Sequence, residues 1–262
     1  MKKIRACWTA WFVALMFTVC SFVVMPHNTY AAQFTPKNIQ TDLSMTLTNQ
    51  YVWRGVANED TKDDVCLQPS LTFSYGGAFA NIWQNIDTAN WGRSSRGDSL
   101  TETDLTFGYG KTIGKYYFES GYTYYAYDQQ KDGQEVYIMG QLDSFLKPAL
   151  TIYQDFAHYP ATFINLGVSQ PVPVLSTGMT LTLGASMDYL ISGDKDAYPD
   201  GNNLDKKFNG FYDGLLSASL DIPVTKMITV TPQVYWSFPV SGDAKPLVDN
   251  YVYGAISVDV AF

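Results

Sequence analysis

The chain has 262 residues and a formal net charge of −8, with 17 Lys and Arg against 25 Asp and Glu. Such an acidic chain lacks the basic surface that neutralises phosphates, which excludes nucleic-acid binding as a function class. Only one of the three cysteines, Cys66, lies beyond the amino-terminal segment described next. A disulfide framework within one mature chain and a cysteine-based zinc site are therefore excluded as well.

The amino-terminal segment has the pattern of an export signal. Three basic residues within the first five positions precede an apolar stretch over residues 8–25 that contains no charge. Pro26 then ends any helix, and small residues follow, so we predict a signal peptide over residues 1–31, cleaved after Ala31 or Ala32. The alternative is a retained membrane helix, because roughly 18 apolar residues is the lower limit for a span. Removal of three basic and no acidic residues would leave a mature net charge of −11.

From Thr41 onward, apolar and polar residues alternate with a period of two, which is typical of strands with one apolar and one polar face. In the first segment Leu43, Met45 and Leu47 alternate with serine and threonine. The segments are residues 43–55, 65–75, 78–86, 101–110, 116–127, 135–143, 148–156, 161–169, 179–189, 211–222, 228–238 and 251–262. Each is near the roughly 9–11 residues that a tilted strand needs to cross hydrocarbon. We predict a periplasmic segment over residues 32–40 and an all-β, antiparallel up-and-down transmembrane β-barrel of about 12 strands over residues 41–262.

The connections between these segments alternate in length. With a periplasmic amino terminus, the long connections lie outside the cell and the short ones in the periplasm, as in outer-membrane barrels. The connection at residues 157–160 is the one short external exception. A soluble β-sandwich also alternates and has turns, but it does not account for this pattern of connection lengths.

Aromatic residues are predicted to form two girdles on the outward face. The external girdle consists of Trp53, Tyr124, Tyr189, Tyr212 and Trp236, and the periplasmic girdle of Tyr75, Tyr109, Tyr116 and Phe262. The terminal Phe262 follows alternating apolar residues, which is similar to the signal read by the barrel-assembly machinery. We therefore expect that machinery as a partner, together with outer-membrane lipid.

Two sequence blocks carry a family resemblance. Residues 48–55, TNQYVWRG, and the hairpin at residues 76–87, GGAFANIWQNID, resemble the first two conserved blocks of the TorF-like porin family of bacterial outer-membrane β-barrel proteins. Gln50 interrupts the Asn-Tyr pair of the family pattern, and Val56-Ala57 replaces its polar residues. The resemblance implies a porin-like barrel in the bacterial outer membrane, and it implies a location more firmly than a solute.

The predicted inward face is rich in acids, which suggests what the lumen does. The candidate pore-lining residues are Arg54, Glu102, Asp104, Glu119, Glu135, Asp155, Asp188 and Asp213. Carboxylates along a narrow water path raise the local cation concentration and repel anions. We predict a passive, cation-preferring channel for small hydrophilic solutes. The alternative is a closed structural or adhesive barrel, because inward tyrosines such as Tyr125 and Tyr137 could fill a bore of this size.

An outer-membrane hydrolase is the remaining alternative. His158 is followed two residues later by Pro160, where a barrel phospholipase needs its serine, and no Gly-x-Ser-x-Gly elbow is present. A hydrolase that pairs His158 with Asp155 stays open, but we predict no enzyme, no cofactor and no metal site. The acidic external loop at residues 194–205 lacks EF-hand spacing. We interpret it as a solvated loop. Such a loop could also bind divalent cations that bridge it to lipopolysaccharide.

Overall fold

A computed structural model describes residues 39–58, 65–88, 99–128, 130–174 and 178–262. The predicted signal peptide and most of the predicted periplasmic segment therefore lie outside the described residues. The strands are β1 (Gln40–Thr48), β2 (Val52–Trp53), β3 (Val56–Ala57), β4 (Cys66–Tyr75), β5 (Ala78–Asp87), β6 (Leu100–Ile113), β7 (Tyr116–Tyr127), β8 (Gly133–Leu142), β9 (Ala149–Asp155), β10 (Ala161–Val174), β11 (Met179–Ser192), β12 (Pro199–Asp200), β13 (Asn203–Lys207), β14 (Asn209–Pro223), β15 (Ile228–Pro239) and β16 (Tyr251–Ala261).

Twelve of these strands form one closed antiparallel barrel, in the order β1-β16-β15-β14-β11-β10-β9-β8-β7-β6-β5-β4. The pairing of β1 with β16 closes the sheet, so no edge strand is left within it. The predicted fold class is thus confirmed. The two short hairpins, β2–β3 and β12–β13, lie in connections and form separate sheets.

The two ends of the barrel differ in their connections. One end, here called the turn end, has tight turns such as residues 76–77 and 114–115. The other, here called the loop end, has the long connections, including residues 193–208 and 240–250. Gly76 and Gly77 have φ values of 61° and 91°, a conformation that residues with a Cβ rarely adopt, which explains the glycine pair in this two-residue turn.

The outer face of the barrel is apolar around its middle. Exposed aliphatic and aromatic residues include Leu43, Met45, Leu47, Phe107, Ile138, Leu150, Leu166, Leu183, Val234 and Ile256. A continuous apolar surface of this kind is costly in water and marks a contact with another phase or partner. Among the described residues, no helix is of a length and hydropathy that could span a bilayer.

The predicted aromatic girdles are largely outward, with two corrections at the loop end. Trp236 is exposed there, as are Tyr75, Tyr109, Tyr116 and Phe262 at the turn end. Trp53 was wrongly assigned, because β1 ends at Thr48 and the chain then folds into the barrel instead of continuing along the wall.

Tyr212 is the second residue wrongly assigned to the outward face. The pairing of β11 with β14 shifts register between Met187 and Tyr189, which marks a β-bulge formed by Tyr212 and Asp213 opposite Asp188. Because the bulge inserts an extra residue, both of these consecutive side chains are buried inside. Phe211 occupies the outward position instead and packs edge-on against Tyr189, with 5.2 Å between ring centroids.

Candidate functional site

The segment at residues 49–58, here called the inward segment, crosses the interior of the barrel near the loop end. It leaves the wall after β1, and its tip residue Arg54 reaches Glu135 on β8 and the rings of Tyr153 on β9 and Phe163 on β10. In the strand order, β9 lies halfway round the barrel from β1 in either direction. Contacts between opposite walls therefore require the segment to span the bore.

The Arg54 side chain is fixed in the interior by an ion pair and by contacts with three aromatic rings. Its Nη1 donates a hydrogen bond to Glu135 Oε2 at 3.0 Å, and both side chains are almost fully buried. The guanidinium carbon lies 3.9 Å from the ring centroid of Phe163, 4.7 Å from that of Tyr153 and 4.4 Å from that of Trp53. An ion pair combined with ring contacts exploits the weak hydration and planar shape of a guanidinium.

The flank of the inward segment is held by a second buried contact. The Tyr51 hydroxyl donates to Glu102 Oε2 on β6 at 3.0 Å, and the Tyr51 ring lies 5.6 Å from that of Trp83 on β5. A Cβ at Gly55 would lie 2.5 Å from Val248 Cγ1 and 2.9 Å from Asp213 Cβ on β14. The tip of the segment is thus in close contact with these residues, and only glycine fits there.

Two connections cover the loop end above the inward segment, and are here called the outer cap (residues 193–208 and 240–250). Tyr198 and Phe208 from the first connection pack edge-on against Tyr212, and Val248 from the second belongs to the same buried cluster. Burial raises the pKa of Tyr198, so its phenol stays protonated and neutral. Within the described residues, the outer cap and the inward segment together fill the loop end with an aromatic cluster.

All eight candidate pore-lining residues lie inside the barrel. Glu102, Asp104, Glu135, Asp155, Asp188 and Asp213 are buried at the loop end around the inward segment, which carries Arg54, and Glu119 lies closer to the turn end. Arg54 therefore stands among the acids as expected, although it is carried by the inward segment and not by a wall strand. Their role in lining a solute path stays a prediction.

The acids at the loop end are packed more closely than a water-filled pore requires. Glu135 and Asp155 are direct cross-strand partners, and Asp188 and Asp213 are both buried on the neighbouring strands β11 and β14. Asp188 also accepts a hydrogen bond from Asn165 Nδ2 at 3.1 Å. The loop end is thus a dense polar network and not an open acidic mouth.

Glu119 forms a smaller cluster nearer the turn end. It accepts hydrogen bonds from the hydroxyls of Tyr117 and Tyr137. The Tyr137 ring lies over Gly121, where an added Cβ would be 2.6 Å from it. Sequence alternation predicted the inward position of these tyrosines, and the glycine opposite a tyrosine provides the space for the ring.

The turn end of the interior is more open than the loop end. Inward polar side chains there, including Ser44, Thr72, Asp221 and Asp259, are only half-buried. Asp221 accepts a hydrogen bond from Thr231 and Asp259 one from Ser257. Other inward hydroxyl groups of this half, such as those of Thr231 and Ser257, are buried, so its interior is polar and only partly accessible to solvent.

Sequence reasoning missed several residues of the closure. Tyr51 and Trp53 continue the alternation of β1, so the period gave no sign that they leave the wall. Tyr198, Phe208 and Val248 lie in connections that read as solvated loops. The available signal was compositional, because large apolar residues are unusual in otherwise polar loops.

His158, the candidate of the hydrolase alternative, is exposed in the connection after β9. Asp155, by contrast, is buried and accepts a hydrogen bond from the Ala157 amide at 2.9 Å. The two side chains thus occupy different environments.

No family model and no curated protein matches the sequence, so membership of the TorF-like porin family stays a prediction. Among solved structures, the chain is similar to the NanC porin, with a TM-score of 0.48 and 11% identity over 86% of this chain and 99% of that chain. It is similar to the KdgM porin, solved in complex with disordered oligogalacturonate, with a TM-score of 0.47 and 12% identity over 85% and 98%. It is also similar to outer membrane phospholipase A from Escherichia coli, with a TM-score of 0.42 and 16% identity over 87% and 94%. Likeness at this level to both porins and a phospholipase assigns no activity.

Proposed function

We propose that the protein is a porin-like channel of the bacterial outer membrane, which passes small hydrophilic solutes, prefers cations and is closed at the loop end when at rest. The observation that carries the proposal is a closed barrel with an apolar outer face and a polar, acid-rich interior. Only a closed barrel lets strands cross hydrocarbon with every backbone group paired. In this orientation the loop end faces outside the cell and the turn end faces the periplasm.

The cation preference is supported by the charge of the interior. Arg54 is the one buried basic residue within the described ranges, whereas buried acids surround it on several strands. Once a path opens, carboxylates along it attract cations and repel anions. The expected selectivity therefore depends on the wall acids, with Arg54 as the one buried counter-charge in the described part of the chain.

The conductance of the refolded protein in planar bilayers tests this proposal. We expect rare, brief openings, and in a potassium chloride gradient the reversal potential should have the sign of cation selectivity. Glu119→Gln should reduce the selectivity, because it removes a carboxylate on the open side of the closure. Asp205→Asn, on an exposed loop, is the control and should leave it unchanged. Anion selectivity would contradict the proposal.

A closed barrel without transport is the second candidate function. The observation that favours it is the complete burial of the aromatic cluster at the loop end. In that case no condition that leaves the barrel folded produces openings, and the inward segment is a permanent structural element.

A further inference from the structure

The wall residues around Arg54 form a pocket that combines aromatic rings with carboxylates. Its residues come from four adjacent strands, with Glu135 on β8, Tyr153 and Asp155 on β9, Phe163 on β10 and Asp188 on β11. Cross-strand pairing places Tyr153 beside Phe163 and Asp155 beside Glu135. The wall alone thus presents two aromatic faces next to several carboxylates.

This combination is complementary to a planar organic cation. The ring faces of Tyr153 and Phe163 both contact the guanidinium carbon, at 4.7 and 3.9 Å from their centroids, and Glu135 accepts its hydrogen bond. Aromatic faces attract cations through the ring quadrupole, and they favour weakly hydrated guanidinium over a hydrated metal ion.

The carboxyl groups of the pocket outnumber the single guanidinium group of Arg54. Glu135 and Asp155 lie directly opposite each other on neighbouring strands, an arrangement in which two carboxylates repel each other and a cation between them is stabilising. Asp155 Oδ2 and Asp213 Oδ1 are buried without a hydrogen-bond partner, and so is Arg54 Nη2. Polar atoms of this kind are nearly always satisfied in folded proteins, so these indicate capacity for a further polar ligand.

Arg54, which occupies the pocket, lies at the tip of a short hairpin. The β2–β3 hairpin pairs only Val52 with Ala57 and Trp53 with Val56. At its tip, Arg54 has a φ of 39°, a left-handed conformation that arginine rarely adopts. The hairpin thus holds a strained residue through few backbone bonds, and the wall contacts of the side chain keep it in place.

We propose that this wall pocket is a binding site for the guanidinium group of a solute, and that Arg54 is an internal ligand which competes with that solute. The proposal rests on the proposed function and names its solute class, molecules that carry a guanidinium group on an aliphatic arm. Entry of such a solute displaces Arg54, and the inward segment is released from the opposite wall.

Calorimetric titration of the refolded protein in detergent with methylguanidinium tests the site. Arg54→Ala should bind methylguanidinium at least tenfold more tightly than the wild type, because the internal competitor is gone. Adding Glu135→Gln to that variant should abolish the gain. Lys195→Ala, which removes an exposed positive charge of the outer cap, is the matched control and should bind like the wild type. An Arg54→Ala variant that binds no better than the wild type overturns the proposal.

A second measurement on the wild type avoids dependence on the folding of variants. Free arginine should accelerate amide hydrogen exchange across residues 52–57, whereas sodium glutamate at the same ionic strength should not. Equal exchange in the two solutions overturns the proposal. If methylguanidinium binds but no variant conducts, the binding site is supported and the proposed transport function is wrong. If the protein conducts cations selectively but does not bind methylguanidinium, the transport function is supported and the binding site is wrong.

Discussion

Arg54→Ala is expected to lower the free energy of unfolding by about 3–5 kcal/mol, the range for removing one partner of a buried ion pair. The loss is large because Glu135 keeps its charge in the interior without the guanidinium that compensates it. The ring contacts with Phe163 and Tyr153 are lost in the same step. Urea unfolding in lipid vesicles, followed by tryptophan fluorescence, measures the change.

Two further variants show whether the loss of stability in Arg54→Ala comes from the unpaired charge of Glu135 or from a general disturbance of the loop end. Adding Glu135→Gln to Arg54→Ala should recover part of the loss, since a neutral amide is cheaper to bury than an unpaired carboxylate. Lys195→Ala removes an exposed ion pair with Asp196 and should leave the unfolding midpoint unchanged. A midpoint for Arg54→Ala equal to that of Lys195→Ala would show that the ion pair does not stabilise the closure.

Tyr212→Ala is expected to destabilise the protein by about 3–5 kcal/mol, the usual cost of truncating a buried aromatic residue. The ring is fully buried, and its centroid lies 5.3 Å from that of Phe208 and 6.1 Å from that of Phe163. Because Phe208 and Tyr198 pack against it, the first connection of the outer cap should loosen too. Limited trypsin digestion should then cleave at Lys206 or Lys207 faster than in the wild type.

Phe211→Ala is the matched control for Tyr212, because the two residues are neighbours that point to opposite sides of the wall. Phe211 is half exposed on the outer face and packs against Tyr189. Phe211→Ala should lower the free energy of unfolding by only about 0.5–1.5 kcal/mol, the contribution of an aromatic pair, and trypsin should not cleave the outer cap faster. The opposite ranking would contradict the bulge that places Tyr212 inside.

Much of the barrel could be predicted from the sequence, because alternation is imposed residue by residue by the two faces of a strand. The register of Leu43, Met45 and Leu47 on the outer face follows directly from that period. Strand number follows for the same reason, whereas β6 and β10 extend further towards the turn end, to Ile113 and Val174, than the alternation predicted. Each strand must bury or expose its faces independently of the others, so the pattern is local and readable.

The closure could not be predicted, because it depends on contacts between parts of the chain that are far apart. Tyr51 and Trp53 fit the alternation of β1 equally well on the wall or inside, and only their contacts in the assembled barrel, such as that of Tyr51 with Glu102, decide. The bulge at Tyr212 and Asp213 leaves a sequence that is compatible with either face. The acids were placed inside by alternation, but their dense packing around Arg54 is a property of the assembled barrel.

The measurement that tests the closed-channel account most directly is the single-channel conductance of wild-type and Arg54→Ala protein in the same planar bilayer system. We expect the wild type to be closed most of the time. The variant should show frequent, cation-selective openings, because the inward segment no longer binds the opposite wall. Heat-modified mobility on a denaturing gel confirms that both barrels are folded. A folded Arg54→Ala barrel that stays as silent as the wild type would contradict the account.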